Sequence, residues 1–303
     1  MKEDNIFEVI IIGGSYAGLS AAMALGRSLR KVLIIDTNKP CNRQTPRSHN
    51  FITLDGKTPK EISTLARQQV EKYKTVSFYN DLAITGTKTK NGYNISTLSN
   101  KTFSAKKIIF ATGIKDVMPN ILGFAECWGV SIIHCPYCHG YEVRNEKTGI
   151  LGNGDYGFEF SKMINNLTKD LTLFTNGKST LTIEQTKKLT DHNIKIIETE
   201  IDRFEQENGY LKNILFKNGT KHSIKAVYSQ VSFIQHSDIP EKLGCKLTEQ
   251  GYIEVDAFQK TNIYGVYACG DNTTFIRSVA NAVYAGNISG AMVNKELVEE
   301  KFK

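Results

Sequence analysis

Short apolar runs and helix-forming stretches alternate along the chain. Phe7-Glu8-Val9-Ile10-Ile11-Ile12 is almost continuously apolar, as a strand covered on both faces of a parallel sheet would be. Residues 19–29 follow, alanine-rich and helical in propensity, and Lys31-Val32-Leu33-Ile34-Ile35-Asp36 is a second strand ending on an acid. Residues 40–59 read as irregular. The pattern then predicts a helix over 61–73 and strands over 76–79, 84–87 and 93–98, with Asn91-Gly92 as a hairpin turn. Lys107-Ile108-Ile109-Phe110 is a further buried strand that runs into the small-residue turn Ala111-Thr112-Gly113. The alternation starts again at Gly149-Ile150-Leu151. A helix is predicted over 158–167, a strand over 171–175, a helix over 182–193 and an extended run over 194–201. Turns fall at Glu207-Asn208-Gly209 and Asn218-Gly219. Residues 261–268 read as a strand reaching a Gly270-Asp271 turn, and a long small-residue helix fills 278–298. Strand–helix–strand units recurring in this way place the chain in the α/β class.

Glycines punctuate both units. Gly13-Gly14-Ser15-Tyr16-Ala17-Gly18 stands between the first strand and its helix, and Asp36 ends the next strand 23 residues after Gly13. This is the arrangement of a dinucleotide fingerprint. The first glycine allows a tight turn, the last lets helix and strand pack closely, the helix start receives a pyrophosphate, and the acid accepts hydrogen bonds from a ribose. Ser15 departs from it, adding a small side chain where backbone approaches phosphate. Gly152-Asn153-Gly154-Asp155-Tyr156-Gly157 is a full G-x-G-x-x-G in the second unit. Its second strand leads into Asn176-Gly177-Lys178, with neither an acid for a ribose nor an arginine cluster for a 2′-phosphate.

Between the fingerprints lies His134-Cys135-Pro136-Tyr137-Cys138-His139-Gly140. Two cysteines three apart close a small disulfide ring or ligate a metal, and at helical spacing they share a face. Pro136 suits the first turn of a helix, where its missing N–H costs little. A cysteine at that helix start is expected to have its thiol pKa lowered toward the reactive thiolate. The flanking histidines titrate near neutrality and add proton donors and acceptors. No metal is expected, since the chain has no second C-x-x-C and no H-x-x-x-H. Tyr137 is read as filling space, and Cys41, Cys127 and Cys245 as structural cysteines.

Composition narrows the class further. The 303 residues allow two domains of ordinary size, and are 40% hydrophobic and 23% charged. The net charge of +7 comes from scattered lysines rather than a basic stripe, so neither nucleic acid nor membrane is an expected partner. No apolar run has the roughly 18 residues of a membrane span. Met1-Lys2-Glu3-Asp4-Asn5 does not read as a signal peptide. Six cysteines are too few for a disulfide scaffold, and a reducing cytoplasm is the expected setting.

The order of fingerprint, Ala-Thr-Gly strand, C-x-x-C, second fingerprint and Tyr267-Ala268-Cys269-Gly270-Asp271 resembles the low-molecular-weight thioredoxin reductases of the pyridine nucleotide–disulfide oxidoreductases. The resemblance covers nearly the whole chain. It implies two Rossmann-like, three-layer ββα nucleotide-binding domains, the second inserted into the first. Residues 1–116 and 238–303 would be the FAD-binding domain, and 117–237 the NAD(P)-binding-like domain carrying the cysteines. It implies a homodimer. It implies that Gly13, Gly14, Ser15, Gly18, Asp36, Ala111, Thr112, Gly113, Gly270 and Asp271 contact FAD, with Cys269 a small core residue near the flavin. Gly152, Gly154 and Gly157 correspond to the NAD(P)H site. By resemblance Cys138 lies against the flavin and Cys135 attacks the substrate disulfide. The flanking histidines, which titrate near neutrality, are read as the general base, His139 first and His134 second.

Three departures bear on function. His139 stands where the family has an acid, the basic 2′-phosphate motif is absent, and Trp128-Gly129 with His134 and His139 is similar to the gliotoxin- and holomycin-type dithiol oxidases. Losing two charge-assisted bonds of about 1.5–3 kcal/mol each predicts NADPH binding weakened roughly 10²–10⁴-fold. A working NAD(P)H site and one kept only for helix–strand packing both remain open. So do three electron routes: a reductase of a thioredoxin-like protein, an oxygen-dependent oxidase of a small-molecule dithiol, and a ferredoxin-fed disulfide reductase. A flavin-binding regulator with idle cysteines is the non-enzyme alternative.

Overall fold

The structure is a computed structural model, which describes residues 5–303; residues 1–4, and with them most of the N-terminal pentapeptide read above, lie outside the described residues. The chain divides into two compact units. One holds the chain up to Arg43, Phe51–Lys115 and Phe233–Lys303, and the other holds Gln44–Asn50 and Asp116–Ser232.

The first unit is built on β1 (Ile6–Ile12), whose Val9, Ile10 and Ile11 are completely buried. Helix α1 (Tyr16–Arg27) carries the chain to β2 (Val32–Asp36), α2 (Pro59–Val70) to β3 (Val76–Asn80), and β4 (Ala83–Thr89), β5 (Gly92–Thr97) and β6 (Thr102–Phe110) follow. The strands run parallel in the order β3-β2-β1-β6, and β5 and β4 continue the sheet antiparallel. Thr58 and Glu61 form a reciprocal capping box at the start of α2. The chain leaves the unit along β7 (Ile114–Val117).

The second unit opens with α3 (Phe124–Cys127), β8 (Ile132–Ile133) and the single turn α4 (Pro136–His139). Strand β9 (Thr148–Leu151), α5 (Gly154–Ile164), β10 (Leu171–Phe174), α6 (Ile183–Asp191) and β11 (Lys195–Ile197) repeat the strand–helix–strand plan. An antiparallel sheet of β12 (Ile201–Glu207), β13 (Tyr210–Phe216) and β14 (Lys221–Ser223) comes next, and β15 (Ala226–Ser229) returns to the parallel sheet, ordered β11-β10-β9-β15-β8. The single extended run expected over 194–201 is therefore two strands. Their sheets differ, so the chain turns between Ile197 and Ile201. Helix α5 also begins four residues earlier than the apolar pattern indicates.

The chain re-enters the first unit along β16 (Ser232–Gln235), then forms α7 (Ile239–Lys242), β17 (Val266–Ala268) and α8 (Val279–Lys301). Only the last three residues of the strand expected over 261–268 are paired as one. Thr261 Oγ1 accepts the Ile263 N–H at 3.1 Å and makes a turn there instead. Strand β17 joins the parallel sheet beside β6. Helix α8 packs on α1 through small residues. A Cβ on Gly286 would stand 2.1 Å from the Ala17 carbonyl oxygen, and one on Gly290 2.5 Å from that of Ala21. Beneath it Lys107 is fully buried and paired with Glu296 and Glu300 of α8, and Glu296 also binds Lys260 and the Tyr267 hydroxyl, both at 2.8 Å.

Candidate functional site

In the first unit the loop from β1 to α1 makes a cradle that only glycine allows. Gly13 has φ +104°, and a Cβ there would lie 2.2 Å from the Ala111 carbonyl oxygen; one on Gly18 would lie 1.9 Å from the oxygen of Gly13. Ser15 is the N-cap of α1 but makes no side-chain cap bond, so the first N–H groups of the helix are left for another acceptor. Asp36 Oδ1 accepts the Gly14 N–H at 3.0 Å, and Oδ2 accepts that of Asn38 at 2.9 Å. The acid thus fixes the glycine loop as well as ending β2. Ala111, Thr112 and Gly113 follow β6, and the Cys269 N–H donates to the Phe110 oxygen at 2.9 Å, which brings Gly270 and Asp271 alongside. Asp271 lies 3.6 Å from Arg277 and 3.9 Å from the Cys41 thiol.

Sequence reasoning missed Asn272. It is completely buried, and its Nδ2 donates to the Phe110 oxygen at 2.9 Å and to Thr112 Oγ1 at 3.2 Å. Its Oδ1 is buried without a partner. An orphaned acceptor beside a glycine cradle fits a bound group that brings its own donor. Only its position after Gly270-Asp271 hinted at it.

In the second unit Cys135 and Cys138 are joined as a disulfide with a Cα separation of 5.3 Å, inside the usual range. Cys135 is the N-cap of α4 and Pro136 its first helical residue, as the sequence suggests. Cys135 Sγ accepts the Cys138 N–H at 3.2 Å, a contact that would favour a thiolate there after reduction. Gly140 closes the turn. Its N–H donates to Pro136 at 2.8 Å, and a Cβ would meet the Pro136 oxygen at 2.3 Å and the Tyr228 hydroxyl at 2.9 Å. Tyr137 is 71% exposed, so it does not fill space as expected.

The two histidines differ. His134 stacks on Trp128, with ring centroids 5.7 Å apart. Trp128 is itself buried, stacked on Phe124 and bonded through Nε1 to Asp116 at 3.0 Å. His139 is partly buried, and burial lowers its pKa below the ordinary histidine value; His49 lowers it further and Glu142 opposes both. A neutral imidazole beside the disulfide can accept a thiol proton. His49 sits in the stretch read only as irregular, and its Nε2 lies 3.5 Å from Glu142 Oε1. Burial pushes the Cys127 thiol up to about 11, that of Cys269 up to about 12, and also raises that of Cys245, which keeps all three protonated.

The second fingerprint has the same glycines in a different state. Gly152 lies between β9 and α5, and Gly154 and Gly157 in the first turn of α5, with Gly157 close to Leu173. Here the N-cap is engaged: Asn153 Oδ1 accepts the Gly154 N–H and the Thr180 N–H, both at 2.8 Å, and its Nδ2 donates to the Lys178 oxygen. Asn176 Oδ1 accepts the Ile201 N–H at 2.7 Å, which ties the loop after β10 to β12. A cleft of about 410 Å³ opens beside Gly152, Asn153, Thr175, Asn176 and Ser229, and none of its lining residues is charged.

Residues 7–286 match the family described as pyridine nucleotide-disulphide oxidoreductase. "Thioredoxin reductase tcpT" of Claviceps purpurea (strain 20.1) is 30% identical, over 99% of this chain and 97% of its own. "Thioredoxin reductase sirT" of Leptosphaeria maculans is 29% identical, over 96% and 94%. Among solved structures, the putative thioredoxin reductase TrxB from Bacillus anthracis has a TM-score of 0.93 at 30% identity, covering 97% of this chain and 99% of that one. HlmI has a TM-score of 0.92 at 25% identity, covering 100% and 95%.

Proposed function

Since the chain belongs to the pyridine nucleotide-disulphide oxidoreductase family, we propose that this thioredoxin reductase-like enzyme works as a dithiol oxidase, taking two electrons from a small dithiol through Cys135 and Cys138. One observation carries the direction. The second fingerprint is capped by its own Asn153 and faces a cleft with no charged lining residue, so no side chain lining the cleft offers a nucleotide 2′-phosphate a cation.

The first unit is assigned FAD, held at Gly13, Gly14, Ser15, Gly18, Asp36, Ala111, Thr112, Gly113, Gly270 and Asp271. The cradle that a Cβ would fill and the orphaned Asn272 acceptor support the assignment. FAD supplies the two-electron acceptor, with oxygen taking the electrons onward to hydrogen peroxide. The domain limits expected from the sequence, 1–116 with 238–303 and 117–237, belong to this proposal.

At the cysteines a substrate thiolate attacks the Cys135 sulfur, and the Cys135–Cys138 bond breaks with Cys138 leaving as thiolate. The second substrate thiol then attacks its own sulfur of the mixed disulfide and releases Cys135. The substrate leaves as a disulfide and the enzyme holds two reduced cysteines. His139 accepts the thiol protons, for which its neutral form is needed. His134, stacked on Trp128, has the role of fixing the approach to Cys135. A homodimer and a cytoplasmic setting complete the reading, the latter supported by three buried free cysteines. Among the described residues no helix is long and apolar enough to cross a membrane.

The test is anaerobic. Dithiothreitol should bleach the yellow protein, and air should restore the colour with one hydrogen peroxide per disulfide. The same concentration of NADPH should leave it yellow. Rapid bleaching by NADPH would instead establish a reductase, the second reading favoured by the intact glycines of 152–157 and by the cleft beside them. Bleaching by neither, but by reduced ferredoxin, would select the ferredoxin-fed route. Unchanged exchange in Cys138→Ser would overturn the Cys135–Cys138 mechanism and leave these cysteines idle.

A further inference from the structure

We propose that Asn272 is a positioning residue for the cofactor: its carboxamide sets the Ala111–Gly113 turn against the Gly270–Asp271 turn, so that both are in place before FAD binds. This deepens, and rests on, the FAD reading of the first unit given above.

Three turns meet where β1, β6 and β17 end. The turn after β1 is fitted to the turn after β6 at Gly13, where a Cβ would lie 2.2 Å from the Ala111 oxygen. The turn after β17 is fitted to the start of α1 at Gly270, whose φ is +91° and where a Cβ would lie 3.0 Å from that of Ala17. Backbone packing thus joins the first turn to each of the other two. The turns after β6 and β17 are joined to each other differently. Beyond the bond from the Cys269 N–H to the Phe110 oxygen, the Nδ2 of Asn272 reaches across, donating to the Phe110 oxygen at 2.9 Å and to Thr112 Oγ1 at 3.2 Å. Asn272 is itself fixed. Its backbone oxygen accepts the Ile253 N–H at 2.9 Å and Gln235 Nε2 at 3.0 Å. The Thr273 N–H and hydroxyl both donate to the Gly270 oxygen, at 3.0 and 2.9 Å, and close the turn that carries it. A flipped carboxamide would set Oδ1 against the Phe110 oxygen, acceptor on acceptor, so its orientation is settled.

Stability alone does not select an amide at this position. Oδ1 is buried without a partner, which disfavours the fold. Valine would remove that orphan and strand neither acceptor, since the Phe110 oxygen keeps the Cys269 N–H and Thr112 is partly exposed. Valine would lose the hold on Thr112. Turns held in advance leave less ordering to be done on binding, which is where the amide contributes.

The test reads FAD released on dilution of the yellow holoprotein by its fluorescence, which gives both affinity and sites per chain. Asn272→Val should keep the parent's number of sites and weaken affinity about 10–100-fold, as two lost hydrogen bonds would. Thr112→Val removes one of the two acceptors and should weaken it less. The double variant should bind about as Asn272→Val does, rather than with the product of the two losses. Excess FAD should restore the parent's flavin absorbance. Unchanged affinity in Asn272→Val, losses that multiply, or fewer sites at the parent's affinity, the mark of a damaged fold, would each overturn the proposal. Should Asn272→Val not fold, Asn272→Ala carries the same cycle. A parent protein that holds no flavin would overturn the FAD reading and this proposal with it. A parent that holds FAD no more tightly than Asn272→Val leaves that reading standing and removes Asn272 from it.

Discussion

The proposed chemistry turns on a few side chains around Cys135 and Cys138. Because burial holds His139 below the ordinary histidine range, its neutral form is already present at neutral pH. The expected kcat/KM profile therefore rises with pH through an inflection below about 6.5 and is flat above it. An inflection near 8–9 in steady-state assays would instead report a bare thiol. Gly140 and Tyr228 give a second outcome. Gly140→Ala forces a methyl against the Pro136 oxygen, and should cost about 1–3 kcal/mol in thermal denaturation along with most exchange activity. Tyr228→Phe removes a buried hydroxyl that has no partner, and should leave stability unchanged or raise it by about 1 kcal/mol. The cysteines and both flanking histidines were legible because they are adjacent in sequence. His49 and Asn272 were not. Each acts through contacts with residues far away in the chain, and neither stands in a pattern that marks it. Tyr137 was misread because a one-turn helix has no buried face to fill.

Elements explain why two similar glycine motifs behave differently. Helix α1 starts on a serine that makes no side-chain cap bond, and α5 starts on an asparagine whose side chain bonds three residues. Asn153→Ala should lose about 1 kcal/mol of stability by urea titration and should not confer NADPH bleaching, since the cleft would still lack a cation. Bleaching by NADPH in that variant would mean that the cap alone closes the site. The glycine spacing and the strand–helix–strand order could be read directly, because each is set within about 30 residues. Asn153 could not, since an x position says nothing about whether its side chain points to solvent or back to the loop. The split of 194–201 and the short β17 were hidden for a related reason. Apolar content signals extended backbone but not which sheet claims it, and Thr261 makes its turn through a hydroxyl.

Across the first unit as a whole, the charged cluster under α8 is expected to add to the acid sensitivity of the fold. Burial raises the Glu296 pKa, but hydrogen bonds from Lys107, Lys260 and Tyr267 outweigh it and bring the carboxyl down to about 2 from 4.5. A depressed acid stabilises the fold fully above its unfolded value and loses that contribution as pH falls through the folded one. The loss should run from about pH 5 to 2 and amount to roughly 3 kcal/mol. Glu296→Gln should flatten that limb in denaturant midpoints measured against pH; an unchanged limb would place the acid sensitivity elsewhere. The contact of α1 with α8 has a different consequence, one of timing. Residues 16–27 leave the ribosome long before 279–301 exist, and at roughly 5–20 residues per second the interval is on the order of 10–60 s. During it the nascent chain completes the second unit while Ala17 and Ala21 wait uncovered, so the unit begun first is the last to close. Chaperone capture of ribosome-bound chains should accordingly persist until the final helix emerges.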